Sequence, residues 1–493
     1  MSVFFIFINI FKNIAFYKKI SKKKIVNCFN TNKTYLIFGT GITGKSAVYF
    51  CEKHHLNYFI TDDNEEKLRT LIVNNKYVDE SRKIYKYNNE ILKKNNIDYL
   101  ILSPSIHSQF EPHKIVIIAR EIGIEIIPDI DLFYCFLQDF NNKNRTNKKL
   151  ICITGTNGKS TTTALTAHLL NSNGFNSIAC GNIGINVLSL DVEKYDYFVV
   201  EMSSYNLFLM NYAKFECSVL LNITEDHLAY HGTMENYANA KEKALLNSDF
   251  GIICIDTKYT KHIANKDTKY IQTSTNSELN NGFYWKNNTF YKNGKIIYNG
   301  IFQNLIGKHN IENILCSVVC CKKICENNNI DIKIEDIFEK VKNFQGLKHR
   351  IQFVRNIEGI DFYNDSKGTN ADSTQKALNS FEDRDIYLIA GGQRKTAGFY
   401  FLKNDLKNVK CVFLIGDATE SFAKELTELN IPFEKCEIMK NAINTAFHKA
   451  KNDIKNNKKL KPVILLSPLC ASWDQYKSFE ERGDDFINIV KNL

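Results

Sequence analysis

Beyond residue 33, short apolar runs alternate with longer stretches in which apolar residues recur every three or four positions. The short runs predict buried strands and the longer stretches predict helices. YLIF (35–38) ends at Gly39, and GITGKSAVYFCEKHH (41–55) reads as a turn entering a helix. NYFITDD (57–63), DYLILSPSI (98–106) and IEIIPDI (124–130) continue the strands. Such alternation implies a parallel sheet. DFNNKNRTNKK (139–149) is polar and lacks a period, so a linker is predicted there. A second run opens at LICITGTNGKST (150–161) and continues to about residue 343, with strands in DYFVVEMSS (196–204) and CSVLLNIT (217–224). Residues 256–305 read as β-rich and irregular, with a hairpin turning at Asn293-Gly294. A third run starts near FQGLKHRIQFV (344–354). It carries DIYLIAGG (385–392), CVFLIG (411–416) and PVILLSP (462–468), and ends in FEERGDDFINIVKNL (479–493). The pattern predicts an α/β protein with three domains, 34–138, 148–343 and 344–493, after an extension over 1–33. A usual domain size of roughly 150 residues fits that division.

Composition narrows the class. Hydrophobic residues make up 44% and charged residues 24%, enough apolar side chain to exclude disorder over most of the length. No charge-free run reaches the ~20 residues that span a bilayer, so no stable membrane insertion is expected. With 23 Gly and 6 Pro, a collagen-like or linker protein is excluded. The net charge of +10 is spread along the chain. A nucleic-acid partner would need a basic face, and none is expected. One basic cluster, Lys18, Lys19, Lys22, Lys23 and Lys24, follows the apolar VFFIFINIF (3–11). A secretory signal has the reverse order and a small-residue cleavage site. The extension is therefore given no chemistry, its functional alternative being a weak membrane-surface anchor. Fourteen cysteines are too sparse for a disulfide scaffold. Cys316, Cys320 and Cys325, with Cys321 beside them, follow helical spacing and lack the paired C-x-x-C ligands of zinc. They predict small buried thiols in a reducing, cytoplasmic compartment.

Four segments carry candidate chemistry. In TGTNGKST (154–161), a Gly-rich turn follows the strand LICI and opens a helix, the geometry in which backbone N–H groups cradle phosphate. Lys159 supplies a cation and Ser160 or Thr161 a hydroxyl for Mg2+. The spacing departs from Walker A, since Ile153 stands where the first glycine would fall. GTGITG (39–44), with Asp62-Asp63 about twenty residues on, satisfies the dinucleotide fingerprint; a tight strand–helix turn alone would satisfy it too. Glu201, Asp226 and His227 stand at or after strand ends, where parallel sheets place their ligand crevice. A carboxylate and an imidazole near phosphates suit Mg2+, although a single acid there also serves as a helix cap. YNDSKGTN (363–370) and SPLCASWDQYKSFEERGDDF (467–486) are polar strand-to-helix loops; capping accounts for their Asp and Ser residues but not for Lys367.

Taken in order, TGTNGKSTTT, GNIG, EMSSYNL, NITEDHLAYHG, HNIEN, GLKHR, NDSKGTN and SPLCASWDQYKSFEERGDDF resemble the Mur ligases of peptidoglycan synthesis, over about Tyr35 to Leu493. The last two C-terminal motifs are most similar to the D-glutamate-adding branch. The resemblance implies an N-terminal Rossmann-like uridine-diphosphate-binding domain, a central P-loop-type ATPase with a mixed sheet and a C-terminal Rossmann-like domain that binds D-glutamate. It implies a cytoplasmic, monomeric enzyme in which ATP phosphorylates the carboxylate of UDP-N-acetylmuramoyl-L-alanine and the amine of D-glutamate attacks the acyl phosphate. Two anions meet only if cations sit between them.

By the same resemblance, Gly155, Thr156, Asn157, Gly158, Lys159, Ser160 and Thr161 hold the ATP phosphates. Asn310 and Asn313 contact base and ribose, with Arg350 and Asp365 also on the ATP side. Ser160, Glu201, His227 and a carbamylated Lys241 hold magnesium; on residue type alone Lys241 is a solvated helix lysine. Asn182 and His349 contact substrate. Lys367, Ser472 and the Phe479 backbone take the D-glutamate carboxylates. Gly41 and Thr43 lie in the uridine-diphosphate loop. Two departures stand out: Asn64 follows the acids where the family commonly has arginine, and GGQRKTAGF (391–399) lacks the family's acid, with Lys395 as its lysine. Rival readings are another Mur-type ligase, a folylpolyglutamate synthase, an NAD-dependent oxidoreductase resting on Gly39–Gly44, and a membrane-associated nucleotide switch resting on residues 1–24.

Overall fold

The computed structural model describes residues 28–106, 111–267, 269–302, 304–394 and 397–493. The lysine cluster at 18–24, the apolar stretch before it and Lys395 lie outside the described residues. The chain divides into two units. One holds the described part of Met1–Lys148 with Asn186–Val192 and Phe208–Lys214; the other holds Lys149–Ile185, Glu193–Leu207 and Phe215–Leu493.

In the first unit, strands β1 (Thr34–Phe38), β2 (Asn57–Thr61), β5 (Tyr99–Leu102) and β6 (Glu125–Ile127) form a parallel sheet in the order β2-β1-β5-β6. A small antiparallel ribbon, β3 (Ile72–Val73) and β4 (Lys76–Tyr77), stands apart. The chain leaves β1 toward β2 and returns on the other side to β5, so the C-terminal ends of β1 and β5 flank a topological switch point. Gly39–Gly44 sits there and opens helix Ile42–Lys53. A Cβ on Gly44 would lie 1.8 Å from the Gly39 carbonyl oxygen, which is why the helix can start so close to the strand.

The predicted linker at 139–149 is corrected. Helix Asp129–Asn144 runs well into it. Its first turns bury Ile130, Leu132, Phe133, Phe136 and Leu137. No Gly or Pro interrupts the polar tail, so the helix continues until Arg145 takes a positive φ of 55°. Two acids in its first turn tie in the outlying segments. Asp131 accepts from the backbone N–H groups of Asn211, Tyr212 and Ala213 at 2.6, 3.0 and 2.8 Å, and Asn186 donates to Asp129 at 2.6 Å.

The second unit holds two sheets. The larger comprises β7 (Lys149–Thr154), β8 (Ser177–Gly181), β9 (Tyr197–Glu201), β10 (Phe215–Leu220), β11 (Ser248–Cys254), β12 (Ile271–Ser274), β13 (Phe283–Lys286), β14 (Thr289–Lys292) and β15 (Lys295–Asn299). Their order is β15-β14-β13-β12-β11-β10-β7-β9-β8, parallel from β8 to β13 and antiparallel beyond. The stretch 256–305 thus carries helix Lys258–Ala264 at its start and then four short strands, β12 to β15, joined by turns, with the hairpin turning at Asn293-Gly294. Helix Lys308–Asn327 covers this sheet beside helix Lys159–Ser172. It buries Cys316, Cys320, Cys321 and Cys325 among Ile, Leu and Val side chains, as their spacing predicts.

The smaller sheet comprises β16 (Gln352–Ile357), β17 (Ile360–Asn364), β18 (Asp385–Gly391), β19 (Val409–Ile415), β20 (Phe433–Glu437) and β21 (Pro462–Leu466), in the order β16-β17-β21-β18-β19-β20. Alternation along β18 divides its two cores: Ile386, Leu388 and Ala390 enter one, Tyr387 and Ile389 the other. Each fully buried Ile or Leu contributes about 1.5–3 kcal/mol. No helix among the described residues is long and apolar enough to cross a membrane.

Candidate functional site

β7 is flanked by β10 and β9, and register places Glu201 beside Ile153 and Leu220 beside Thr154. The Gly-rich turn and the end of β9 therefore share one edge of the sheet. Gly158, with φ +83°, caps helix Lys159–Ser172; a Cβ there would lie 2.3 Å from Asn313 Oδ1. Asn222, just after β10, holds the turn. Its Oδ1 accepts from the Asn157 N–H at 2.8 Å and its carbonyl from the Thr156 N–H at 2.8 Å. Glu312 in turn accepts from Asn222 Nδ2 at 2.9 Å.

Two lysines converge on this turn. Lys159 Nζ donates to the carbonyls of Gly155 and Thr156 at 3.0 and 2.8 Å. Lys241, on helix Met234–Leu246, is 1% exposed and donates to the same Gly155 carbonyl at 2.7 Å. Burial lowers the pKa of Lys159; Glu201 and Asp226 oppose that shift, while Arg350 and Lys376 add to it. Burial, then the Lys159 charge, pushes Lys241 well below the ordinary lysine range. Two amines this close cannot both carry charge cheaply, and the more buried Lys241 is the one whose charged form is disfavoured.

Glu201 closes β9 almost fully buried, and its Oε2 has no hydrogen-bond partner among the described residues. A buried carboxylate oxygen without a partner is costly unless a cation occupies the space before it. Asn182 follows β8, its N–H donating to the Glu201 carbonyl at 3.1 Å. His227, in the left-handed region at φ 54°, opens the short helix Leu228–His231. Its ring lies 4.9 Å from that of Tyr205, and burial lowers its pKa against the opposing pull of Asp226. Among the described residues no three His, Cys, Asp or Glu side chains gather as a metal site on their own. The donor set fits a hard cation that takes remaining ligands from phosphate oxygens and water.

Asn313 is buried, accepting from Thr162 at 3.0 Å and donating to Asn310 Oδ1 at 3.0 Å; Asn310 donates to the Ile306 carbonyl at 2.7 Å. Both amides thus buttress the Gly-rich turn from helix Lys308–Asn327. Thr161 lies in the first turn of helix Lys159–Ser172, next to Ser160.

The smaller sheet supplies further cations to the same place. Arg350 donates to Ser160 Oγ at 3.4 Å. His349 is buried at φ 63°; its ring meets the Asn364 amide at 3.1 Å, and its carbonyl accepts from the Lys367 N–H at 3.0 Å. A Cβ on Gly483 would lie 2.1 Å from that ring. Asp365 accepts from Ser467 at 2.8 Å and from the Ile351 N–H at 3.2 Å, and burial raises its pKa to about 7. Lys367 lies 5.2 Å from the Phe479 ring centroid. Burial, then the Arg350 charge, lowers its pKa, and Glu201 and Glu480 oppose that shift. Ser472 is buried in the loop after β21, and Phe479 opens the final helix.

The sequence reading missed Arg482. It is 1% exposed, and its guanidinium donates to Ser366 Oγ, the Ser366 carbonyl and the carbonyls of Cys470 and Ala471 at 2.9–3.3 Å. It fastens the two C-terminal loops together. The signal was present: Phe479, Arg482, Phe486 and Val490 fall on one helical face, which places the arginine inward. Gly41 and Thr43 lie in the first unit, at the start of helix Ile42–Lys53. There Asp62 accepts from both the N–H and the hydroxyl of Thr40, at 2.7 and 2.8 Å.

Residues 153–321 match the Mur ligase middle domain, and residues 349–465 match the Mur ligase, glutamate ligase domain. The chain is 32% identical to UDP-N-acetylmuramoylalanine–D-glutamate ligase of Wolbachia pipientis wMel, with 94% of this chain and 97% of that one aligned. It is 36% identical to the ligase of the same name from Rickettsia bellii (strain RML369-C), with 93% and 97% aligned. Among solved structures, UDP-N-acetylmuramate–alanine ligase MurC of Thermotoga maritima aligns with a TM-score of 0.53 at 16% identity, over 93% of this chain and 99% of that one. A UDP-N-acetylmuramoyl-L-alanyl-D-glutamate–2,6-diaminopimelate ligase aligns with a TM-score of 0.54 at 15% identity, over 87% and 99%. At such identities these structures speak to the fold alone.

Proposed function

The chain belongs to the Mur ligase family, and from that premise we propose that it joins D-glutamate to UDP-N-acetylmuramoyl-L-alanine in an ATP-dependent reaction of peptidoglycan precursor synthesis. The observation that carries this reading is the pair Lys159 and Lys241, both anchored on the Gly155 carbonyl, with Arg350 at Ser160 and Lys367 beyond. The substrate carboxylate attacks the γ-phosphorus of ATP, and ADP leaves. The neutral amine of D-glutamate then attacks the acyl carbon, phosphate leaves, and the nitrogen gives up one proton to solvent or a nearby base, keeping the other as the amide N–H. Each step brings anions together, and Lys159, Arg350 and Lys367 counter that repulsion.

The roles divide along the chain. Gly155 to Thr161 hold the polyphosphate, with Asn310 and Asn313 on the nucleoside side. Lys367, Ser472 and the Phe479 backbone receive D-glutamate. Ser160, Glu201, His227 and a carbamylated Lys241 would hold Mg2+, which when bound neutralises phosphate charge. Low basicity at Lys241 supports carbamylation, because only the neutral amine captures carbon dioxide, losing a proton as the carbamate forms. The domains 34–138, 148–343 and 344–493 take the uridine-diphosphate substrate, ATP and D-glutamate respectively. Fourteen buried free thiols support a cytoplasmic setting.

The test is phosphate release from ATP with each co-substrate omitted in turn. Release that requires both D-glutamate and UDP-N-acetylmuramoyl-L-alanine is expected. Hydrolysis indifferent to either, or an absorbance change from nicotinamide, would overturn the reading.

A further inference from the structure

Lys376 was assigned no role by the motifs, yet it touches the phosphate turn. It lies on helix Ala371–Asn379, which follows the NDSKGTN loop. Its Nζ donates to Asn157 Oδ1 at 3.2 Å and pairs with Asp372 at 2.5 Å. Asn157 is held through its backbone by Asn222, at the tip of the turn. Arg350 reaches the other end, at Ser160. Two cations from the smaller-sheet half therefore bracket one phosphate turn from its two ends.

The partners Lys376 now holds are weak ones to give up. Asn157 Oδ1 is a neutral acceptor. Asp372 is an i,i+4 partner on an exposed helix face, and both side chains are about half exposed. Such surface pairs contribute little. A phosphate oxygen offers a charge-assisted bond of roughly twice a neutral bond's strength. Lys376 also adds to the positive charge felt by Lys159, a repulsion that a polyanion relieves.

We propose that Lys376 is a further polyphosphate-binding residue, whose ammonium leaves Asn157 and Asp372 for a phosphate oxygen of ATP. The nucleotide then ties helix Ala371–Asn379 to the phosphate turn. The inference rests on the ligase reading above.

Steady-state kinetics on the full chain test it, with D-glutamate and the uridine-diphosphate substrate saturating. Lys376→Ala suits the helix, so folding is not at issue. It should raise KM for ATP about tenfold, the loss of one charge-assisted bond. kcat and the KM values of the other two substrates should stay within about twofold. Lys376→Arg should bring KM for ATP back to within about threefold of wild type. An unchanged KM for ATP in Lys376→Ala overturns the proposal, as does an equal rise for all three substrates. If wild-type protein releases no phosphate, the ligase reading fails first, and the two failures stay distinct.

Discussion

Two glycine-rich turns follow central parallel strands and open helices, yet their surroundings differ. At Gly39–Gly44, the carboxylate of Asp62 occupies the Thr40 N–H and hydroxyl, while Asp63 accepts from Tyr87 at 2.7 Å and contacts His113 at 2.8 Å. At Gly155–Gly158, Lys159 and Lys241 bond the turn, and Arg350 and Lys376 reach its ends. The glycines are needed in both for the same steric reason, since a Cβ on Gly44 or Gly158 would collide with neighbours. Glycine spacing therefore reports how close a helix starts to its strand. The charge of the neighbours reports what ligand the turn takes. The second turn is met by cations besides the N–H groups of its helix, and the first by carboxylates.

The largest expected effect breaks the cationic turn. Lys159→Ala should lower ligation about a thousandfold, the upper range for removing one preorganised charge partner. Phosphate release with both co-substrates present measures it, and turnover near wild type would refute the assignment. Lys241→Ala comes next, with a loss of about a hundredfold, as for groups that support a metal shell. If the carbamate reading holds, short-chain carboxylates added to this variant should restore part of the activity. Full activity without any additive would end that reading.

The first turn should respond in stability before chemistry. In Gly44→Ala the new methyl meets the Gly39 carbonyl, a backbone group that cannot swing aside. A loss of about 2 kcal/mol is expected from such overpacking, read as a lower denaturant midpoint. Wild-type stability in this variant would mean that the turn tolerates a wider opening, and the steric half of the comparison would fall.

These contrasts also mark what was legible in the chain. Strands such as YLIF, LICI and DIYLIAG were legible because both faces are buried and the apolar run is continuous. The tail of helix Asp129–Asn144 was not, because its polar residues carry no period and only the absence of a breaker sustains it. Glu201 was legible by its place at a strand end. Lys241 was not, since a lysine in YANAKEKAL gives no sign that it turns inward to Gly155. Arg482 was hidden by its acidic neighbours Glu480, Glu481, Asp484 and Asp485, which read as a solvated face. Lys376 was hidden by Asp372, its i,i+4 partner. Residues whose role depends on contacts far along the chain leave little local trace, whereas turns and strands write theirs into adjacent positions.

The smallest effect sharpens the comparison most. Asp62→Asn keeps the shape of the side chain and one acceptor oxygen. Asp62 now accepts three bonds: two from Thr40 and one from the Asn64 N–H at 2.8 Å. The amide NH2 cannot accept, so at least one bond is lost and the charge assistance with it. A cost of about 1 kcal/mol is expected, again read from the denaturant midpoint. If this carboxylate shapes its own turn and has no part in phosphoryl transfer, KM for ATP and kcat at saturating substrates should stay within about twofold of wild type. A variant that kept its midpoint but lost ATP turnover would show that the first turn carries reaction chemistry, and the division between a self-capped turn and a cationic one would no longer stand.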